Sequence, residues 1–212
     1  MALVKPVASL EQPAPPPEPQ DRATLLADLG DESPEVRRRA AHDLARTGAP
    51  WAIAALCARA GVETDDTVLE SILTVMMGCR CRATVEGLLP YLASPNPSLR
   101  NGVVDVLRVM PDAVGPHVEG VLSDPDPAVR LLGIDLLVGL PDARVPAWLV
   151  EVIGRDDDLN VCAAAVDGLA DLGEPAAVPA LNAVLERFPA VPFLEFAVRT
   201  AIARIGSGKG GT

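Results

Sequence analysis

The amino-acid sequence predicts an all-α fold, a right-handed α-solenoid of about six helix pairs that follows a Pro-rich N-terminal arm. The first observation is a short phrase with an aliphatic anchor, which recurs six times at intervals of 30 to 33 residues. A fixed period in this range indicates stacked copies of one supersecondary unit. The second observation is the helical spacing of the apolar residues inside each copy. The anchors are Val36, Val68, Leu99, Val129, Val161 and Leu194.

In the clearest copies the apolar residues fall at the anchor and at positions +4, +5, +8 and +11 after it. In the third copy these residues are Leu99, Val103, Val104, Leu107 and Met110. Such spacing forms a single stripe along a helix, whereas a strand would alternate at every second residue. The sequence therefore predicts one helix per copy, with this stripe facing the core.

The start and the end of these helices are marked by residue type. Ser33-Pro34, Asn96-Pro97 and Asp126-Pro127 each place a capping side chain before a proline of the first turn. Glycines that follow the apolar runs predict left-handed C-caps. These glycines are Gly48, Gly78, Gly173 and Gly206.

A second, shorter apolar run precedes each phrase. Val178, Leu181 and Leu185 show helical spacing in one such run. The repeating unit is therefore a helix, a tight turn and a second helix. We expect six units between residues 22 and 206, after a Pro-rich arm at 1–21 and before a flexible tail at 207–212. Prolines open four of the shorter runs, namely Pro50, Pro116, Pro146 and Pro175.

The phrase resembles the HEAT repeat, in the short bacterial form called the PBS-lyase HEAT-like repeat. The matching residues are the turn and anchor at 124–130 and helix ends such as Leu172-Gly173 and Ile205-Gly206. The resemblance implies HEAT-like helix pairs whose longer helices line the concave side of a curved stack. Three copies depart from the arginine expected after the anchor, with Leu69, Cys162 and Glu195 in its place.

Composition and charge disfavour nucleic acids and membranes as partners. The net charge is −11, with 18 basic against 29 acidic residues, and affinity for phosphates depends on Lys and Arg. No apolar run approaches the ~18 residues of a membrane span, and the N-terminus is a poor signal peptide. Four cysteines in such a chain indicate reduced thiols, so we expect a cytoplasmic location.

The sequence offers no constellation for catalysis, for a cofactor or for a metal. His42 and His117 lie in different copies. The His-Glu pairs of the deoxyhypusine hydroxylases, metal-binding relatives with this fold, have no counterpart in this sequence. The segment Cys79-Arg80-Cys81 is too tight for two ligands of one metal, and no second pair completes it. We therefore expect no catalytic residue, no cofactor and no metal.

The candidate binding surface lies at positions +2 and +6, which face away from the core. Position +6 holds aspartates in three successive copies. One interpretation is an acidic strip that receives Lys or Arg from a partner. The other is an internal ladder, in which each Asp binds the anchor-side Arg or the turn amides of the next repeat. One of Leu131 and Leu132 adds an apolar contact. The predicted partner-binding residues are Arg38, His42, Asn101, Asp105, Leu131, Asp135 and Asp167.

The N-terminal arm is a second candidate. Five prolines between positions 13 and 19 favour an extended tether, and an unattached tail is the alternative interpretation. The apolar residues ahead of the prolines predict a docking segment, whose target, the chain's own groove or another chain, stays open. These residues are Leu3, Val4, Val7 and Leu10.

The expected function is a non-catalytic adaptor or scaffold for protein–protein interaction. Repeat stacks of this kind are mostly extended binding surfaces. The partner would present a basic or apolar segment to the concave helical surface. The alternative is an enzyme or enzyme subunit like the phycobilin lyases, the namesake relatives of this repeat. The oligomeric state is left open.

Overall fold

The computed structural model describes residues 19–207. This part of the chain is α-helical, with short turns and no strand. The predicted docking residues Leu3, Val4, Val7 and Leu10 lie outside it. The α-helices are α1 (Pro19–Leu29), α2 (Pro34–Thr47), α3 (Pro50–Val62), α4 (Asp66–Gly78), α5 (Arg82–Leu88), α6 (Pro97–Arg108), α7 (Pro111–Val114), α8 (Val118–Val121), α9 (Pro127–Val138), α10 (Val145–Arg155), α11 (Leu159–Leu172), α12 (Val178–Arg187) and α13 (Pro192–Gly206).

Six helix pairs are stacked along the described chain. The first helices are α1, α3, α5, the α7–α8 segment, α10 and α12, and the second helices are α2, α4, α6, α9, α11 and α13. Each second helix packs on the second helix of the next pair, and α3 packs on α5 as α10 packs on α12. The predicted all-α solenoid is therefore confirmed. We call the exposed side of the second helices the second-helix face.

Three 3₁₀ segments complete the first helices. Leu89–Ala93 extends α5, Gly115–His117 separates α7 from α8, and Pro175–Ala177 leads into α12. Within residues 19–207, no helix is both long enough and apolar enough to cross a membrane.

The predicted apolar stripes form the core. Five of the six anchors are buried, and in the third pair the whole stripe from Leu99 to Met110 is buried. Val36 is the exception, because it is only half-buried. It belongs to the first pair, where no second helix precedes α2 in the described chain. A repeat at the end of a stack lacks the neighbour that would cover one of its faces.

The predicted side-chain caps form at most of the second helices. The carboxylates of Asp65 and Asp158 and the amide oxygen of Asn96 each accept hydrogen bonds from two backbone amides of the first turn. Asp126 accepts one, from the amide of Ala128. The prediction is wrong for Ser33, whose side chain makes no capping bond within the described residues. Its own amide instead donates to the Asp31 carboxylate.

The predicted glycine C-caps are wrong for three of the four glycines. Gly48 has a φ of 61° and caps α2 in the left-handed region. Gly78 and Gly206 instead form the last residues of α4 and α13. Gly173 is extended, with a φ of −75° and a ψ of 151°. A Cβ there would clash with the Leu169 carbonyl oxygen, so close approach explains this glycine.

The arginine after the anchor links consecutive pairs through a buried carboxylate. Arg37 Nε and Nη2 donate to the two carboxylate oxygens of Glu63 at 2.9 and 2.8 Å, and Arg130 does the same to Asp156 at 2.7 and 2.8 Å. Each arginine also donates through Nη1 to carbonyl oxygens of the turn before its own helix. The arginine therefore joins its own turn to the end of the next first helix.

Other side chains take over where the arginine is missing. Leu69 is buried and enlarges the core. Cys162 is also buried, and its Sγ donates to the carbonyl oxygen of Asp156 at 3.2 Å. Arg187, from the sixth pair, donates to the same carbonyl oxygen. Glu195 is half-buried and forms an ion pair with Arg199 on its own helix.

The junction between the third and fourth pairs lacks this link. Arg100 donates to the carbonyl oxygen of Ser94, but within the described chain its guanidinium forms no salt bridge. Asp124 occupies the position equivalent to Glu63 and Asp156, five residues before its anchor. The first helix of the fourth pair is also interrupted, because a 3₁₀ segment with Pro116 separates α7 from α8.

Candidate functional site

The polar positions predicted for the binding surface lie on the second-helix face. All six residues at position +6 are exposed, as is Asn101 at position +2. Arg38 and Leu131, also at position +2, are half-buried. The residues at position +6 are His42, Thr74, Asp105, Asp135, Asp167 and Thr200.

The first pair contacts the second pair through two of the predicted residues. Arg38 Nη1 donates to Thr67 Oγ1 at 2.8 Å, and His42 Nε2 lies 3.3 Å from Ser71 Oγ. Both contacts run from α2 to α4 across the exposed face. Arg38 and His42 are therefore already engaged within the solenoid.

Arg108 connects two of the three aspartates at position +6. Its Nη2 donates to Asp135 at 2.6 Å, and its Nη1 donates to Asp105 at 3.3 Å. The hydrogen bond to Asp135 raises the pKa of Arg108 above its ordinary value. The ladder interpretation named the arginine after the anchor or the turn amides as the partner. The structure shows a different cation, nine residues after its anchor.

Asp167 differs from the other two aspartates. It is exposed, and among residues 19–207 no hydrogen bond or ion pair involves its carboxylate. Its neighbour one turn later, Asp171, accepts a hydrogen bond from Arg204 Nη1 at 2.6 Å. The Asp167 carboxylate is therefore accessible to a ligand on this face.

A groove of about 490 Å³ runs between α4 and α6. Its floor is apolar and its rim carries several carboxylates, including that of Glu70. Two predicted residues, Asn101 and Asp105, line it from α6. We call it the α4/α6 groove. Its lining is Asp66, Leu69, Glu70, Leu73, Thr74, Met77, Ser98, Asn101, Gly102 and Asp105.

A second groove, of about 310 Å³, runs between α9 and α11. It brings together three predicted residues, since Leu131 and Asp135 line it from α9 and Asp167 lines it from α11. Leu131 and Leu132 are both half-buried. We call this the α9/α11 groove. Its lining is Leu131, Ile134, Asp135, Val138, Ala164, Asp167, Gly168 and Asp171.

The comparison with protein families identifies the repeat. Residues 115–191, which contain the α9/α11 groove, match the family of HEAT repeats. This segment of the chain is similar to HEAT repeats. The predicted resemblance to HEAT repeats is thereby confirmed. No curated protein matches the chain at a significant level.

Solved structures with a similar architecture have low sequence identity to this chain. An archaeal HEAT-like repeats protein from Thermococcus onnurineus NA1 is 15% identical, with a TM-score of 0.49, over 91% of this chain and 89% of that one. An engineered protein is 18% identical, with a TM-score of 0.44, over 89% and 97%. A chain of the CpcE–CpcF complex of phycocyanin lyase from Nostoc sp. PCC7120 is 17% identical, with a TM-score of 0.37, over 95% and 100%.

The structure divides the seven predicted binding residues into three groups. Arg38 and His42 lie on the first pair, outside both grooves. Asn101 and Asp105 line the α4/α6 groove. The α9/α11 groove holds the other three, Leu131, Asp135 and Asp167. The three aspartates of the predicted acidic strip are therefore divided between two grooves on one face.

Sequence reasoning missed two aromatic residues on the last helix pair. Phe193 and Phe196 on α13 are 51% and 74% exposed. They occupy positions −1 and +2 relative to the sixth anchor, which are the positions of Ser98 and Asn101 in the third repeat. The repeat numbering alone would have placed both side chains on the second-helix face.

Three of the four cysteines are poorly suited to act as nucleophiles. Burial raises the pKa of Cys57 and of Cys162 to about 11. Burial also raises the pKa of Cys79, which is half-buried. At neutral pH these side chains are thiols, and the thiolate is the reactive form. No group of three or more potential metal ligands occurs in the described part of the chain.

Proposed function

We propose that this protein is a scaffold without catalytic activity of its own, which holds a partner protein on its second-helix face. The observation that carries the proposal is the pair of grooves on that face, each with an apolar floor and a carboxylate rim. Extended surfaces of this kind are what repeat stacks use to bind other chains. The four unpaired cysteines support a cytoplasmic location for the scaffold.

Site-specific photo-crosslinking in cells that naturally express the chain tests this proposal. A photoreactive amino acid replaces Thr74, which is exposed in the α4/α6 groove. The matched control replaces Ala58, which is exposed on α3 in the first-helix row. We expect a discrete protein adduct at position 74 and none at position 58. The proposal is wrong if adducts form equally at both positions or only at position 58.

The lyase-like alternative gives a separate signal. A phycobilin-lyase-like protein binds a bilin, so adding the purified chain shifts or intensifies the visible absorption band of the bilin. The scaffold leaves the spectrum of the free bilin unchanged. A spectral change that saturates at a fixed ratio of bilin to protein would replace the scaffold proposal with the lyase-like one.

A further inference from the structure

An exposed aromatic pair lies at the end of the second-helix face. Phe193 and Phe196 are two of the three phenylalanines in the chain, and both are more than half exposed. Removing an exposed phenylalanine side chain from water is favourable. Exposed aromatic residues that a partner buries are frequent centres of binding energy. This pair is therefore a candidate anchor point for a ligand.

The helix that carries this pair, α13, is the neighbour of the α9/α11 groove. It packs on α11, which forms one wall of that groove. Arg204 on α13 donates to Asp171, a lining residue of the groove, at 2.6 Å. Both phenylalanines therefore lie on the helix next to the groove.

Position +2 changes its chemistry along the solenoid. In the first three repeats it holds Arg38, Glu70 and Asn101, and in the last three it holds Leu131, Ala163 and Phe196. The apolar members flank Asp135 and Asp167 of position +6. The C-terminal half of the face therefore combines apolar residues at position +2 with two aspartates at position +6. The N-terminal half is polar at both positions.

The acidic row of this half is only partly neutralised. Asp135 shares Arg108 with Asp105, and Asp167 has no cationic partner among the described residues. An added Lys or Arg would complete these contacts with charge-assisted hydrogen bonds. An acidic segment would be repelled, because like charges across an interface cost several kcal/mol.

We propose that α9, α11 and α13 form the docking surface for an amphipathic basic segment of a partner protein. The apolar side of that segment covers Leu131 and Phe196, and its Lys or Arg side chains pair with Asp135 and Asp167. This assignment rests on the proposed scaffold function and names the chemistry of the partner.

Fluorescence anisotropy with three labelled peptides of equal length tests the assignment on the full chain. The probes are an amphipathic Lys/Leu peptide, a Glu/Leu peptide with the same pattern and a Lys/Gln peptide without apolar residues. We expect the Lys/Leu peptide to bind about tenfold or more tightly than either of the others. Binding of the Glu/Leu peptide with equal affinity would overturn the assignment, as would binding of the Lys/Gln peptide.

Two double variants locate the binding. Phe193→Ser with Phe196→Ser, and Asp135→Asn with Asp167→Asn, are each expected to weaken Lys/Leu binding about tenfold. Val62→Ser removes a 67% exposed apolar side chain of α3, and Asp112→Asn removes an exposed charge of α7. These controls should bind like the wild type. Equal loss in a control, with unchanged circular dichroism in every variant, would place the binding elsewhere.

The N-terminal residues are the competing occupant. Deletion of residues 1–18 should leave the affinity for the Lys/Leu peptide unchanged. An increase of about tenfold would show that the chain's own segment covers this surface, which contradicts a partner as its occupant. If crosslinking at position 74 succeeds while the Lys/Leu peptide fails to bind, the scaffold function stands and only the chemistry assigned to its partner is wrong.

Discussion

Glu63 shows how one residue can join two repeats. Its carboxylate is fully buried and accepts hydrogen bonds from Arg37, from Arg59 and from the amides of Thr64 and Asp65. Burial alone would raise the pKa of Glu63, but the hydrogen bonds outweigh burial and lower it to about 2. The side chain is therefore a charged core residue.

We expect Glu63→Gln to lower the free energy of unfolding by about 3 kcal/mol, because removing one partner of a buried pair leaves the other charge uncompensated. Chemical denaturation measures this loss. The control is Glu86→Gln, which breaks the exposed Arg82–Glu86 pair. That pair should contribute about 0–1 kcal/mol. Similar losses in the two variants would contradict a special role for Glu63.

The same residue predicts a loss of stability in acid. The pKa of Glu63 is about 2 in the folded chain, below its ordinary value of 4.5. As the pH falls from 4.5 to 2, the unfolded chain binds a proton before the folded chain does, so the folded state loses stability. Melting temperature against pH should fall more steeply over this range for the wild type than for Glu63→Gln. Parallel curves would show that Glu63 does not carry this effect.

At the scale of single helices, glycines serve two different purposes. Gly154 lies in α10, where a Cβ would meet open space. Gly173 follows α11, where a Cβ would clash with the Leu169 carbonyl oxygen. The first glycine weakens a helix through its backbone entropy, and the second permits a close approach.

Alanine should therefore have opposite effects at these two positions. Gly154→Ala is expected to stabilise the chain by about 0.5–1 kcal/mol. Gly173→Ala is expected to destabilise it by about 1–3 kcal/mol, since backbone atoms must move to make room. Thermal unfolding of both variants beside the wild type measures the sign. A change of the same sign in both would contradict the backbone geometry around Gly173.

At the scale of the whole molecule, the solenoid is held together from neighbour to neighbour. Buried arginine–carboxylate links join the first pair to the second and the fourth to the fifth. At the third-to-fourth junction Arg100 forms no such link in the described chain, and the adjacent first helix is interrupted. Stability in a repeat stack is a sum of repeat terms and interface terms, so we expect the molecule to open at this junction into two halves.

Hydrogen exchange should detect the two halves. Asp156→Asn breaks the link of Arg130, so amides of α9 to α12 should exchange faster while those of α2 to α4 keep their protection. Glu63→Gln should produce the converse pattern. Mass spectrometry of peptic fragments measures both variants. Faster exchange along the entire chain in either variant would show one cooperative unit instead of two halves.

Much of the fold could be predicted from the sequence, because the anchors and their stripes repeat at fixed spacing. Leu99 and Val161 are buried as their positions predict, since every copy meets the same neighbours. Val36 was not predictable in this way, because its burial depends on a preceding second helix, which is absent from residues 19–207. The prediction of a left-handed C-cap failed at Gly173 because this glycine permits a close contact with a carbonyl oxygen. The local sequence does not show that contact.

The candidate site could be predicted only in part. Periodicity placed Asp105, Asp135 and Asp167 on one exposed face. It could not show that Arg108 reaches Asp135, because a long side chain spans repeats in ways that spacing does not determine. The exposure of Phe196 was overlooked although its repeat position predicts it, because a phenylalanine in an apolar run is more often a core residue.

Arg187 joins the last two helix pairs through hydrogen bonds to backbone carbonyl oxygens. It belongs to the sixth pair, yet it donates to the carbonyl oxygen of Asp156 in the fifth, where Cys162 has replaced the usual arginine. A duplicated or transplanted fifth repeat would arrive without this donor, and a chain shortened after α11 would lose it. A change in the number of repeats at this junction therefore removes the Arg187 contacts together with the apolar interface.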